Sequence, residues 1–260
     1  MKKLLALTLA FAAILFVVGC ESGTTPDKPI VTATVITNGA GLKLDWSADA
    51  NADGFIIYND GVAIDTVVAT TYNDTIPCKV VEVSAYAGDK ESDKESIDCT
   101  PTTTSTITVY GMSDTSSSHP SGLVFNATSG TGVATAVISS NYAALDFIFD
   151  DRAPLTQLTL VNAGTDTTIG KINTKLNTSG LDGTDFNAVK ICKLTGYNTI
   201  TGLATNNVYD LWLSSSATWL DTDHFGKMKI ESITGATAPY TAVVTVAYQK
   251  FGGLRWCVTP

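Results

Sequence analysis

The residues with the most specific chemistry in this 260-residue chain are its five cysteines and two histidines. Cys20 stands apart from the other cysteines. It closes an apolar run, Leu4 to Val18, that follows Lys2-Lys3 and ends Val17-Val18-Gly19-Cys20. A positive start, a short apolar middle and a small residue at the end make a secretory leader. About 15 apolar residues fall short of the ~20 that a bilayer-spanning helix needs. Export favours disulfides, and Cys78, Cys99, Cys192 and Cys257 remain to form them. Four cysteines allow three pairings. No CxxC pair occurs, which argues against zinc ligation.

The other reactive side chains form weaker patterns. His224 follows Asp221 and Asp223, and serines abound, but there is no G-x-S-x-G elbow and no visible triad. His119 and His224 sit in no haem-ligand motif, so haem is not expected. Asp146, Asp150 and Asp151 could supply paired carboxylates for glycoside hydrolysis. Asp150-Asp151-Arg152 reads instead as a solvated strand end with a local ion pair. Asp182-Gly183-Thr184-Asp185 and Asp221-Thr222-Asp223 offer oxygens at alternate positions, as calcium prefers. The candidate metal residues are therefore Asp182, Asp185, Asp221 and Asp223, although neither stretch matches a full EF-hand loop. A ligand platform is expected from Trp219, Trp212 and Tyr209, because flat amphipathic rings suit binding surfaces. Trp219, in the loop from Ser214 to Asp223, is expected to be exposed.

These groups must be positioned by strands. Val, Ile, Thr and Tyr recur in short runs between turn clusters, and no long stretch shows helical periodicity. The reading is all-β, in sandwiches. The net charge is −9 and there is no basic cluster, which argues against nucleic acid as a partner. Residues 20–29 read as a polar tether and residues 100–105 (TPTTTS) as an unpacked linker. Between them, residues 30–99 hold seven short strands. Leu42-Lys43-Leu44-Asp45-Trp46 alternates cleanly, and Asn59-Asp60-Gly61 makes a tight hairpin. If Gly88-Asp89 centres the last hairpin, Cys78 and Cys99 face each other. The domain split then leaves Cys192 to pair with Cys257. Residues 106–260 read as a larger β domain, with short helical turns expected between Lys171 and Lys190.

Three resemblances add to this. Residues 1–19 with Cys20 resemble a bacterial lipoprotein signal, which implies lipidation of Cys20 and membrane attachment through acyl chains. Glu21 in place of aspartate implies the outer membrane or cell surface. Trp46, Gly54-Phe55-Ile56-Ile57-Tyr58 and Val81-Glu82-Val83-Ser84-Ala85-Tyr86 resemble a fibronectin type III domain, except that Lys79 stands where that family usually has a tyrosine. Gly122-Leu123-Val124-Phe125, Ala144 to Phe149, Gly196-Tyr197, Val208-Tyr209 and His224 to Ile230 are loosely similar to surface lipoproteins, including haemophore-like ones, mostly without assigned activity. Together these imply a lipid-anchored binding protein. The fibronectin-like module would be a spacer and the distal domain would recognise a glycan or surface protein. Hydrolysis of an extracellular polymer and a structural envelope role are the alternatives. No cofactor is expected beyond calcium.

Overall fold

The computed structural model describes residues 24–47, 49–164 and 173–259. The expected leader and lipidation site, residues 1–19 and Cys20, lie outside them. Among the described residues, regular structure is strand apart from one 3-10 turn at Thr37–Gly39. The all-β expectation holds.

Eight strands build the first unit: β1 (Val31–Ile36), β2 (Gly41–Trp46), β3 (Gly54–Asn59), β4 (Val62–Val67), β5 (Thr71–Asp74), β6 (Val80–Ala87), β7 (Lys90–Glu91) and β8 (Glu95–Asp98). One sheet has the order β1-β2-β5. The other has β4-β3-β6, with β7 and β8 both pairing β6. This three-on-five sandwich, with β7 and β8 sharing one edge of β6, is the fibronectin type III-like arrangement that the residue pattern implies. The alternation in β2 does its expected work. Leu42 and Leu44 are fully buried, and Trp46 meets Phe55 edge-on at 5.3 Å. Where the resembled family has a corner tyrosine, the Asp60 carboxylate accepts from the amides of Lys79 (2.9 Å) and Val80 (3.0 Å).

The last hairpin departs from the expected register. Tyr86 faces Glu91 and Ala87 faces Lys90, as a turn centred on Gly88-Asp89 requires. Further along, Val80 faces Asp98, one residue out of step. The slip arises at Ser92, whose hydroxyl accepts from the Ala85 amide at 2.9 Å in place of a ladder carbonyl. An extra residue on one strand shifts everything beyond it. Cys99 therefore lies opposite Lys79, whose carbonyl takes its amide at 2.7 Å. Both Cys78 and Cys99 remain in the sandwich core as free thiols.

The second unit has two five-stranded sheets. Its strands are β9 (Thr102–Tyr110), β10 (Gly122–Phe125), β11 (Gly132–Thr135), β12 (Phe147–Asp150), β13 (Thr159–Asn162), β14 (Thr178–Gly183), β15 (Ile200–Gly202), β16 (Val208–Leu213), β17 (His224–Thr234) and β18 (Thr241–Tyr248). One sheet runs β11-β10-β12-β13-β15 and the other β14-β16-β17-β18-β9. Alternate residues from both meet in one core, with Phe147, Phe149, Leu160, Leu211, Met228, Ile230 and Val244 at its centre.

Two expectations are corrected here. Thr102–Ser105 is not a linker but the first half of β9, paired with β18. The threonine run is β-branched, and β18 offers an open edge for it. The expected helical turns between Lys171 and Lys190 are replaced, among the described residues, by strand β14 and a turn in which the Asp185 carboxylate accepts from the amide of Asn187.

The two units share a seam. Leu254 and Trp256, both fully buried, belong to the core of the first sandwich although they come from the chain's end. Gly39 lies beneath this segment with φ +86°, and a Cβ there would stand 2.3 Å from the Gly253 carbonyl oxygen. Only glycine allows that approach.

Candidate ligand cleft

Where strand ends of both sheets of the second unit meet, they leave a cleft of about 400 Å³. Phe125 ends β10, Asp146 precedes β12, and Lys175 and Asn177 lead into β14. Leu213 to Ser215 follow from β16, Thr222 and Asp223 lead to His224 at the start of β17, and Tyr248 ends β18.

The floor is a fixed polar network. Asp146 is 4% exposed, and its carboxylate accepts from the Phe125 amide (2.7 Å), the Lys175 ammonium (2.7 Å) and the Asn177 side-chain amide (3.1 Å). Asn177 also accepts from the Ser214 amide at 2.9 Å, so it ties one sheet to the other. A buried charge held by three donors keeps its place, because losing any of them leaves an uncompensated ion. Lys175 also donates to the Ala144 carbonyl at 2.7 Å.

The wall is aromatic. His224 lies over Tyr248 with ring centres 5.1 Å apart, and Tyr248 stacks on Phe125 at 5.2 Å. Burial, and then the Asp146 charge, push the Tyr248 phenol well above its usual range, so it stays protonated. His224 Nδ1 sits 3.0 Å from the Gln249 carbonyl. A carbonyl can only accept, so Nδ1 carries hydrogen and a neutral ring has its lone pair on Nε2. Among the described residues no serine hydroxyl or thiol bonds either imidazole. His119 Nδ1 is paired with the Asp114 carboxylate at 2.7 Å, and its ring stacks on Tyr110.

The residues expected to form a platform do not converge. Tyr209 is 1% exposed. Its hydroxyl donates to the Gly202 carbonyl (3.1 Å) and accepts from the Ala204 amide (2.9 Å), so it belongs to the core. Trp219 is half-buried rather than exposed. Its indole donates to the Gly253 carbonyl at 3.0 Å, and it packs at the seam near Gly39. Trp212 is half-buried too. It donates to Asp223 at 2.8 Å and stacks on Phe225, although its other side lines a separate hollow of about 250 Å³ with Tyr197. In each case the indole or phenol finds a protein partner, and that anchors the ring inward.

The candidate metal carboxylates are also engaged. Asp182 pairs with Lys193 at 2.5 Å, Asp185 caps its own turn, and Asp223 accepts from Trp212 and from the Leu220 amide. Asp221 lies in the loop leading to Asp223. Among the described residues no three His, Cys, Asp or Glu side chains group as metal ligands. Asp150 makes the expected ion pair with Arg152 (2.8 Å), but at 2% exposure it is buried rather than solvated. Cys192 and Cys257 are buried with their sulfurs 2.8 Å apart, and both are thiols. Of the cleft residues, Asp146 and His224 stood out in the sequence as chemical groups. Lys175 and Asn177 carried no signal of their own, because only the second sheet's return brings them beside Asp146.

No family model matches the chain. A poly(3-hydroxybutyrate) depolymerase of Ralstonia pickettii is 29% identical over 143 residues, which is 50% of this chain and 26% of that protein. The chain thus spans about a quarter of the relative's length. A solved structure described as "Structure of FN3tt mut" overlaps 28% of this chain and 92% of its own, at 23% identity and a TM-score of 0.25. Among the described residues no helix is long and apolar enough to cross a membrane.

Proposed function

We propose that this is an exported, lipid-anchored binding protein that holds a segment of an extracellular polymer in the cleft between Asp146 and His224. The anchor rests on Val17-Val18-Gly19-Cys20. The binding site rests on one observation: a preorganised polar floor, Asp146–Lys175–Asn177, beside the open edge of an imidazole stacked on aromatic rings. Such a site offers donors, an acceptor and a flat apolar face, the mixture that orients a carbonyl- or hydroxyl-bearing chain. The polymer class is suggested by the depolymerase relative, whose matched quarter need not include its chemistry. The fibronectin-like sandwich serves as the mounting for this unit.

The second reading is hydrolysis. It is favoured by the basic Nε2 lone pair that the Gln249 carbonyl leaves on His224, and opposed by the lack of a hydroxyl bonded to it among the described residues. Both readings are tested with residues 21–260, which contain every described residue, on poly(3-hydroxybutyrate) granules and on insoluble glycans. Binding predicts retention on one polymer and at least a tenfold loss in Ser215→Trp, which fills the cleft, and in His224→Ala. Equal retention by wild type and both variants would rule out the cleft. Soluble hydroxy acid or sugar released by wild type, and abolished in His224→Ala, would establish the hydrolytic reading instead.

A further inference from the structure

Residues 253–257 lie between the two β units and are bound to both. Toward the first, Leu254 and Trp256 fill its core. The Arg255 amide and Nε donate to the carbonyls of Gly39 (2.9 Å) and Asn38 (2.8 Å), and the Trp256 indole donates to Ala40 (3.1 Å). Toward the second, Arg255 Nη1 donates to the Cys192 carbonyl (2.5 Å) and the Cys257 amide to that of Lys190 (2.8 Å). The Cys192 amide returns a bond to the Arg255 carbonyl at 2.8 Å. The side chain of Gln249 closes the seam by donating to the carbonyls of both Cys99 and Trp256, each at 2.8 Å. The last residue of the segment is Cys257, and its sulfur is 2.8 Å from that of Cys192.

We propose that Cys192 and Cys257 become a disulfide that fastens residues 253–257 as a strap, locking the two β units into one cooperative body. Each Sγ–H gives up its proton, one S–S bond forms, and two electrons pass to the disulfide of an exported thiol–disulfide oxidoreductase. That disulfide opens and takes up two protons as a dithiol. The timing follows from burial. Both sulfurs are fully buried, out of reach of an oxidoreductase in the finished fold, and burial pushes the Cys192 thiol well above its usual range. The bond forms while the chain is folding. Once formed, it is shielded from reductant. The strap does not depend on what the cleft binds.

Peptide mapping tests this on the full chain recovered from an oxidising compartment, alkylated in denaturant without reductant. Trypsin cuts after Lys190, Lys193 and Arg255, so the bond joins residues 191–193 to residues 256–260 in one small peptide that separates on reduction. Closing a loop of this length shifts the melting temperature by roughly 10 °C between oxidised and reduced protein. With the strap locked, melting is a single transition. The shift is expected to survive in Cys78→Ser/Cys99→Ser and to vanish in Cys192→Ser/Cys257→Ser. Alkylated Cys192 and Cys257 in the wild-type map would overturn the proposal, and that map requires no variant to fold. So would a linked peptide whose reduction leaves the melting temperature unchanged, or a shift carried by Cys78 and Cys99.

Discussion

Replacing Asp210 with asparagine is expected to make the protein more stable at pH 8 and to flatten its pH dependence. Asp210 lies on β16 and is 1% exposed. One carboxylate oxygen accepts from the Lys193 amide at 2.8 Å, and the other has no partner among the described residues. Asp182 is its charged neighbour, itself paired with the Lys193 ammonium. Burial raises the Asp210 carboxyl against the pull of the Lys193 amide, and the Asp182 charge raises it further, to about 7. In the unfolded chain it titrates near 3.8. Between these values the folded state binds one more proton than the unfolded state, so stability is present below the lower value and is lost as pH rises through the window. Roughly three units at about 1.4 kcal/mol each give a loss on the order of 4 kcal/mol by pH 8. Asparagine has nearly the same shape and no charge to bury. Its oxygen can accept from Lys193 and its nitrogen can donate to Asp182. Urea unfolding at pH 4.5, 6, 7 and 8, with wild type and Asp210→Asn side by side, cancels the other carboxylates in the difference. The variant should match wild type within about 1 kcal/mol at pH 4.5 and exceed it by about 2–4 kcal/mol at pH 8. A difference that stays constant across pH, or a variant less stable at pH 8, would refute the reasoning.

Two further outcomes follow from burial and hydrogen bonding. Trp256→Ala removes a fully buried side chain shared by the two units. It should cost about 3–5 kcal/mol, read by urea unfolding, with the first sandwich exposed to protease before the second. Tyr209→Phe deletes the bonds to Gly202 and Ala204. It should cost about 1–3 kcal/mol and leave retention on polymer unchanged, since the ring is core rather than ligand surface.

The first sandwich was legible because its signals are local. The alternation in Leu42–Trp46 sends leucines inward, and Asp60-Gly61 supplies the positive φ of a hairpin (50° and 80°). The same kind of reading failed one residue past a bulge. Nothing in Ser92 announces that its hydroxyl will stand in for a carbonyl, and that one bond decides that Cys99 lies opposite Lys79. Thr102–Ser105 was misread because a polar β-branched run suits a linker and an edge strand equally, and the edge of β18 lies over 130 residues away in sequence. Trp219 and Tyr209 were placed by residue type, but an indole or phenol faces out only where no carbonyl waits for it inside.

By itself, then, the sequence determined the all-β class, the first sandwich's strands and hairpins, and an even set of four cysteines beyond Cys20. All of these depend on composition, period-two patterning or turn chemistry within a few residues. Tertiary structure alone decided that Asn177 would bridge Asp146 to Ser214 and that Trp256 would fill the other unit's core. Each of those contacts joins residues far apart in the chain, and what brings them together is the closure of two sheets over one core. No stretch of sequence encodes that separately from the whole.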